Sequence, residues 1–235
     1  MTVTRRPEEQ AVTFHASEAS KRQSKRAAHA AFTAHIEHLC RTDPGARAAL
    51  RAGLRRDLDH PRTRPMHRLL TPRLPDGCDN TTAQAHYTVA ALIAAQPRHA
   101  FSPDQADDEN TPDEHEAADK QALRKKEEPG EEVAPPGPAP YGTSFGATLG
   151  QAVTAKGKPM RMSAAESRIN LLARQSLRGI HLHLPAAVNQ VRTTGTSIDW
   201  GQLLADLIDW QYQPGRISRR WLQDFYRITA GADQD

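Results

Sequence analysis

Aromatic side chains are scarce in this chain. Its 235 residues include five Phe, three Trp and four Tyr. Hydrophobic residues reach only 37%, so the core is modest or a large part of the chain is disordered. No apolar run approaches the roughly eighteen residues of a membrane helix. The opening MTVTRRPEEQ is basic but has no apolar stretch behind it, so neither a signal peptide nor a membrane association is expected, and the location expected is cytoplasmic. Cysteine is nearly absent. Cys40 and Cys78 lack metal-ligand spacing and read as two unrelated thiols in a reducing compartment. Catalytic signatures are missing too. There is no HExxH, paired CxxC or GxSxG, and GTSFGATLG is not followed by the Lys-Ser or Lys-Thr of a phosphate loop. No enzyme activity, cofactor, metal or small-molecule ligand is expected.

What is present is concentrated. Half of the aromatics fall between Ser197 and Arg227: Trp200, Trp210, Tyr212, Trp221, Phe225 and Tyr226. Aromatics bury more area than any other side chain, so the core is expected to close around this segment. Charge is concentrated as well. The net value of +3 conceals twelve Asp or Glu against four Lys or Arg between Ser102 and Val133. The remaining chain has 27 basic and 16 acidic residues. That surplus points to a polyanionic partner, most often nucleic acid.

The chain reads as all-α, a bundle of about eight or nine helices in two halves, 24–100 and 142–230. Residues 1–23 have no apolar period and are expected to be a disordered tail. From Ser24 to Thr42 a helical stripe joins Ala28, Phe32, Ile36, Leu39 and Cys40. His29, His35 and His38 lie largely off it and share no single face, so they read as solvated. Asp43 and Pro44 restart a helix. In it Arg47, Arg51 and Arg55 step by four and are expected to form one ridge, which repels itself unless an anion lies on it. Prolines 61, 65, 72 and 75 confine the next helix to about two turns around Met66–Leu70. Thr81 to Gln96 is the most apolar helix, capped by Thr81 or Thr82 and central in the core.

Residues 101–141 are dense in acid and proline and are expected to be a flexible insert. A helix follows from about Ser144 to Ala155, with Gly146 and Gly150 allowing close contact to a neighbour. Ser163 and Glu166 form a capping box for the next helix. GIHLHLPAAVNQVRTTG is expected to be helix interrupted or begun near Pro185 and ending at Gly195. Asp199 and Ser218 are expected to cap the last two helices.

Several local patterns resemble one family. They are Gly146, Leu149, Gly150, Ala152 and Val153; Glu166, Arg168, Leu171, Leu172 and Arg174; and the ending IDWGQLLADLIDW…RRWLQDFYR from Ile198 to Arg227. MHRLLTPRLP and AHYTVAALIAAQP add weaker support. Together they resemble CasB, the small subunit of the type I-E CRISPR surveillance complex Cascade, over roughly residues 30–98 and 142–228. The acidic insert departs from the pattern, because shorter members join the halves by a brief loop. The resemblance implies an all-α, non-catalytic subunit present in two copies, helping to hold an R-loop by contacting displaced DNA, the guide–target duplex, or both. Its implied partners are the other Cascade subunits, a second copy of itself, CRISPR guide RNA and target DNA.

The candidate nucleic-acid-binding residues are Arg47, Arg51, Arg55, Arg56, Arg64, Arg68, Arg168, Arg174, Arg178, Arg219 and Arg220. Any of them is alternatively a solvated residue or an internal partner for Asp206, Asp209 or Asp224. Trp200, Trp210, Trp221 and Phe225 are base-stacking candidates whose helical spacing favours the core. A second reading makes the chain a protein-only adaptor whose basic face docks on acidic partner surfaces.

Overall fold

The computed structural model describes residues 7–97 and 142–232, with side chains from Gln23 to Gly231. The acidic insert expected over 101–141 lies outside the described residues.

Among the described residues there are nine α-helices and no strand. They are α1 (Pro7–Thr42), α2 (Pro44–Arg51), α3 (Arg64–Leu70), α4 (Asn80–Ala94), α5 (Phe145–Val153), α6 (Met162–Ala173), α7 (Leu177–Arg192), α8 (Trp200–Asp209) and α9 (Pro214–Ala232). Short 3-10 turns, Pro61–Thr63 and Thr71–Arg73, flank α3 where prolines deny it further α-helical bonds. No described helix is long and apolar enough to cross a membrane.

Helix α1 begins at Pro7, well before the expected start at Ser24. Its first part, PEEQAVTFHASEASKR, has no apolar stripe, which is why it reads as a tail. It is nevertheless rich in strong helix formers and has Pro at its first position. Along the predicted stripe Phe32, Ile36 and Cys40 are buried, Leu39 is half-buried and Ala28 is exposed. Burial pushes the Cys40 thiol up to about 11, so it is an inert core group. Asp43 caps α2, accepting from the Ala46 amide at 2.9 Å, with Pro44 at the first position.

Helix α4 is the central element. Every residue from Ala85 to Ala94 is buried. It packs on α1, α2 and α8. Its cap is Asp79, not Thr81 or Thr82: the Asp79 carboxylate accepts from the Thr82 amide at 2.7 Å. Asp is as good a cap as Thr, and here it comes first in the chain.

The C-terminal helices differ from expectation at three ends. Helix α6 starts at Met162, and its cap position, Arg161, makes no side-chain capping bond. Ser163 is therefore already inside the helix, and the expected capping box is not formed. Helix α7 runs unbroken through Pro185, which is buried against the core. Tertiary packing there outweighs the backbone hydrogen bond that the ring removes. Helix α9 starts at Pro214, so Ser218 is a buried interior residue and not a cap. Asp199 does cap α8, accepting from the Gln202 amide at 2.8 Å and from the Thr143 amide at 3.0 Å.

The expected core segment is the core. Trp210 and Trp221 pack with ring centres 5.2 Å apart, and Phe145 meets Trp221 at 5.5 Å. Trp221 and Phe225 are fully buried and Trp200 is 7% exposed, so none of the four offers a face to a base. Helices α5 and α9 cross at glycine contacts. A Cβ on Gly146 would lie 1.9 Å from the Trp221 carbonyl oxygen, and one on Gly150 3.0 Å from Ile228 Cβ.

The two halves share one hydrophobic cluster. Helix α8 packs against α1 and α4. Thr88 on α4 and His181 on α7 hydrogen-bond across 2.9 Å in the buried interior.

Candidate nucleic-acid interface

The predicted arginines divide into those whose guanidinium is engaged and those that face solvent. Helix α2 ends at Arg51, with Ala52 as its C-cap. The chain then turns over Gly53, which packs on Met66 where a Cβ would lie 2.1 Å from its sulfur. Arg55 adopts a left-handed backbone with φ 61°. Arg47, Arg51 and Arg55 therefore do not form one helical ridge. The spacing suits a ridge, but glycine and the Met66 contact end the helix before Arg55.

Arg47 is half-buried and bonds the α4 C-terminus: its Nε donates to the Ala94 carbonyl at 3.2 Å and a terminal nitrogen donates to the Gln96 carbonyl. Arg56 contacts His60 Nε2 at 2.8 Å, and its carbonyl accepts from Gln84 at 3.0 Å. Arg168 on α6 donates to Gln190 on α7 at 2.7 Å. Arg178 on α7 pairs with Asp57 at 3.3 Å, but both side chains are well exposed, so the pair contributes little.

Arg220 has an internal partner, as one alternative reading allowed. It is ion-paired to Asp206, whose side chain is 3% exposed. Asp206 also accepts from Trp221 Nε1 at 2.6 Å and from Gln202 Nε2 at 2.6 Å. Burial raises the Asp206 carboxyl above its ordinary value, opposed by Arg220 and these hydrogen bonds. Asp224 accepts from Ser144 at 2.6 Å and pairs with Arg227 at 3.0 Å.

That leaves Arg51, Arg55, Arg64, Arg68, Arg174 and Arg219. All are exposed, and none has a carboxylate partner among the described residues. Arg51 closes α2, Arg64 and Arg68 lie on α3, Arg174 follows α6, and Arg219 lies on the solvent face of α9. Exposed guanidinium groups with no carboxylate partner among the described residues suit phosphate, which they bond with planar, forked geometry.

Sequence reasoning did not single out Arg192, at the end of α7. It donates to the Ala95 carbonyl at 2.7 Å. Burial first, then the neighbouring Arg47 and Arg51 charges, lowers its pKa from the ordinary value. The signal was faint, because one arginine before TTG reads as an ordinary C-terminal residue.

A second basic region lines a cleft of about 850 Å³ between α1, the start of α4, α8 and α9. Lys25, Arg26, Arg73, Arg216 and Arg220 surround it, above apolar groups such as Phe32 and Ile217. His29, at its side, packs on His86 and is lowered to about 4, first by burial and then by the His86 and Lys25 charges. The histidines of α1 are therefore not uniformly solvated, as the sequence suggested. His29 and His35 are half-buried and His38 is exposed.

Comparison with known proteins gives this arrangement a family. No curated protein matches the chain. A chain of a "CRISPR RNA-guided surveillance complex, pre-nicking" is 31% identical and superposes with a TM-score of 0.67, covering 89% of this chain and 97% of that one. A chain of a "CRISPR RNA-guided surveillance complex" has the same identity and TM-score and is covered over 98% of its length. The fold is also that of a Cse2-family CRISPR-associated protein from Thermus thermophilus, at 21% identity and a TM-score of 0.53, covering 85% and 97% of the two chains. The profile of CRISPR-associated protein Cse2 matches residues 46–226. With most of its length matched in this way, the chain belongs to the CRISPR-associated Cse2 family.

Proposed function

We propose that this chain is a non-catalytic subunit of a type I-E CRISPR surveillance complex. In that role it binds nucleic acid and helps to hold the R-loop, through displaced DNA, the guide–target duplex, or both. The observation that carries this reading is the likeness, at 31% identity over 89% of the chain, to chains of CRISPR RNA-guided surveillance complexes. The set of exposed arginines with no carboxylate partner among the described residues supports it. An R-loop exchanges one duplex for another of nearly equal stability, so a few protein–phosphate contacts shift the balance. Such contacts are electrostatic, largely indifferent to sequence and weakened by salt. Other subunits, a second copy of this chain, guide RNA and target DNA are its proposed partners.

The test is charge reversal in the reconstituted complex. Arg51→Glu, Arg64→Glu and Arg68→Glu together should leave assembly intact and shorten R-loop lifetime by at least about tenfold, with a weaker salt dependence. Unchanged R-loop lifetime in an assembled triple variant would refute the nucleic-acid role. Loss of assembly with DNA contacts retained would instead favour the protein-only adaptor.

A further inference from the structure

Among the described residues one aromatic ring is left largely in solvent. Tyr212 is 68% exposed, more than any other large hydrophobic side chain there. It stands in the turn between α8 and α9, after Asp209 and before Gln213. Both of those residues line the basic cleft, so the tyrosine stands at its rim. A lone exposed aromatic is ordinary on a protein surface. This one is held in place. Its hydroxyl donates to Asp79 Oδ2 at 3.4 Å, and the Gln211 amide group donates to the same oxygen at 3.3 Å. The other Asp79 oxygen caps α4 by accepting from the Thr82 amide, and Thr82 also lines the cleft. One carboxylate thus ties the turn to the start of α4 and sets the ring beside the opening. A group ordered before binding costs less entropy to bind.

The charges around the ring suit a strand and not a lone anion. Arg73 and Arg216 line the cleft, are exposed and have no carboxylate partner among the described residues. Guanidinium groups of that kind bond phosphate. At the ring itself the charge is of the other sign: Asp79 touches the hydroxyl, and the Asp209 carbonyl accepts from the Tyr212 amide at 3.0 Å, which keeps that carboxylate within one turn. A phosphate is repelled there, and an uncharged base is not. Within a duplex each base face is covered by its neighbours, so the base that meets the ring belongs to an unpaired strand. We propose that Tyr212 is a base-stacking platform at the rim of the cleft, taking one unstacked base of a single strand whose phosphates lie on Arg73 and Arg216. This rests on the nucleic-acid reading above and goes beyond it in naming an unpaired strand and a contact that is not electrostatic.

The test uses the full chain and measures binding of a single-stranded oligothymidylate, and of an abasic strand of the same length and charge, across salt concentrations. The wild type should bind the oligothymidylate at least about fivefold more tightly than the abasic strand. Tyr212→Ala should abolish that preference and leave the log–log salt slope unchanged. Tyr212→Phe, which keeps the ring and loses the bond to Asp79, should retain it. Arg216→Ala should retain the preference while the slope shrinks by about 0.7, one strand phosphate. Loss of the preference in Tyr212→Phe assigns the effect to the turn and overturns stacking. A preference that survives Tyr212→Ala, or none in a wild-type chain that binds both strands, overturns the site and leaves the nucleic-acid reading intact. A wild-type chain that binds neither strand refutes that reading, and the site with it. Polyglutamate of matched charge that competes as well as unlabelled oligothymidylate makes the cleft a surface for acidic protein and overturns the base site.

Discussion

Replacing Gly146 with alanine tests the α5–α9 crossing directly. The new methyl would lie 1.9 Å from the Trp221 carbonyl oxygen and 2.5 Å from two further backbone atoms of the same residue. No rotamer relieves a clash between a Cβ and a backbone. The helices must separate by about 1.5 Å to restore ordinary contact, which opens the packing of Phe145 and Trp221 behind it. Overpacking typically costs 1–3 kcal/mol, and with a backbone as the obstacle the cost should be about 3 kcal/mol or more. The remaining glycines give internal controls. Gly150→Ala meets Ile228 Cβ at 3.0 Å and the Phe225 carbonyl oxygen at 3.2 Å, and should cost about 1 kcal/mol. Gly215→Ala meets nothing within 4 Å in the first turn of α9, and should be neutral or stabilising by up to about 0.5 kcal/mol. Urea unfolding followed by far-ultraviolet circular dichroism measures all three. Equal midpoints for Gly146→Ala and Gly215→Ala would refute the close crossing.

The neighbours Arg219 and Arg220 should separate cleanly. Arg220→Ala strands the Asp206 carboxylate and should cost roughly 2–4 kcal/mol, less than for a fully enclosed pair because the Arg220 side chain is 44% exposed, whereas Arg219→Ala should change unfolding stability by less than about 0.5 kcal/mol. Similar costs for both would undo the distinction between internal and free arginines. Arg55→Gly relieves a left-handed backbone and should stabilise by up to about 1 kcal/mol, so a clear loss in urea midpoint would count against that turn geometry. Acid should destabilise the fold through His181. Burial lowers its pKa from 6.5 to about 4, so the unfolded chain binds the proton more readily. The stability it contributes is complete above pH 6.5 and falls away as the pH drops towards 4, by roughly 3 kcal/mol. His181→Asn, which retains an amide for Thr88, should flatten the profile between those limits, and an unaltered slope would exclude His181 as its source.

Helix existence was legible because apolar spacing reports burial directly. Phe32, Ile36 and Cys40 are buried where their stripe places them. The two glycines of α5 were legible for the same reason, since small residues on one helical line mark a close neighbour. Helix ends were harder, because several residues compete to cap. Asp79 precedes the two threonines of α4, and Ser163 and Ser218 resemble caps but are helical themselves. The arginines were the least legible. Sequence spacing cannot say that α2 stops at Arg51, nor that Arg192 arrives beside it from α7. Nor can it say that Arg220 points inwards to Asp206 while Arg219, one residue earlier, points out.

The docking of α8 on α1 and α4 also bears on how the chain is made. During synthesis α4 emerges long before α8, and its residues from Ala85 to Ala94 are buried only in the finished fold. A nascent N-terminal half can therefore set α1 and α2 against α4 but leaves bare the apolar side that α8 covers, a feature that favours chaperone capture or aggregation. Helix α8 supplies that cover from the far end of the sequence. Completion of the first half is thus timed by the last third of the chain, and amide protection in α4 should appear together with that in α8, in a single late step.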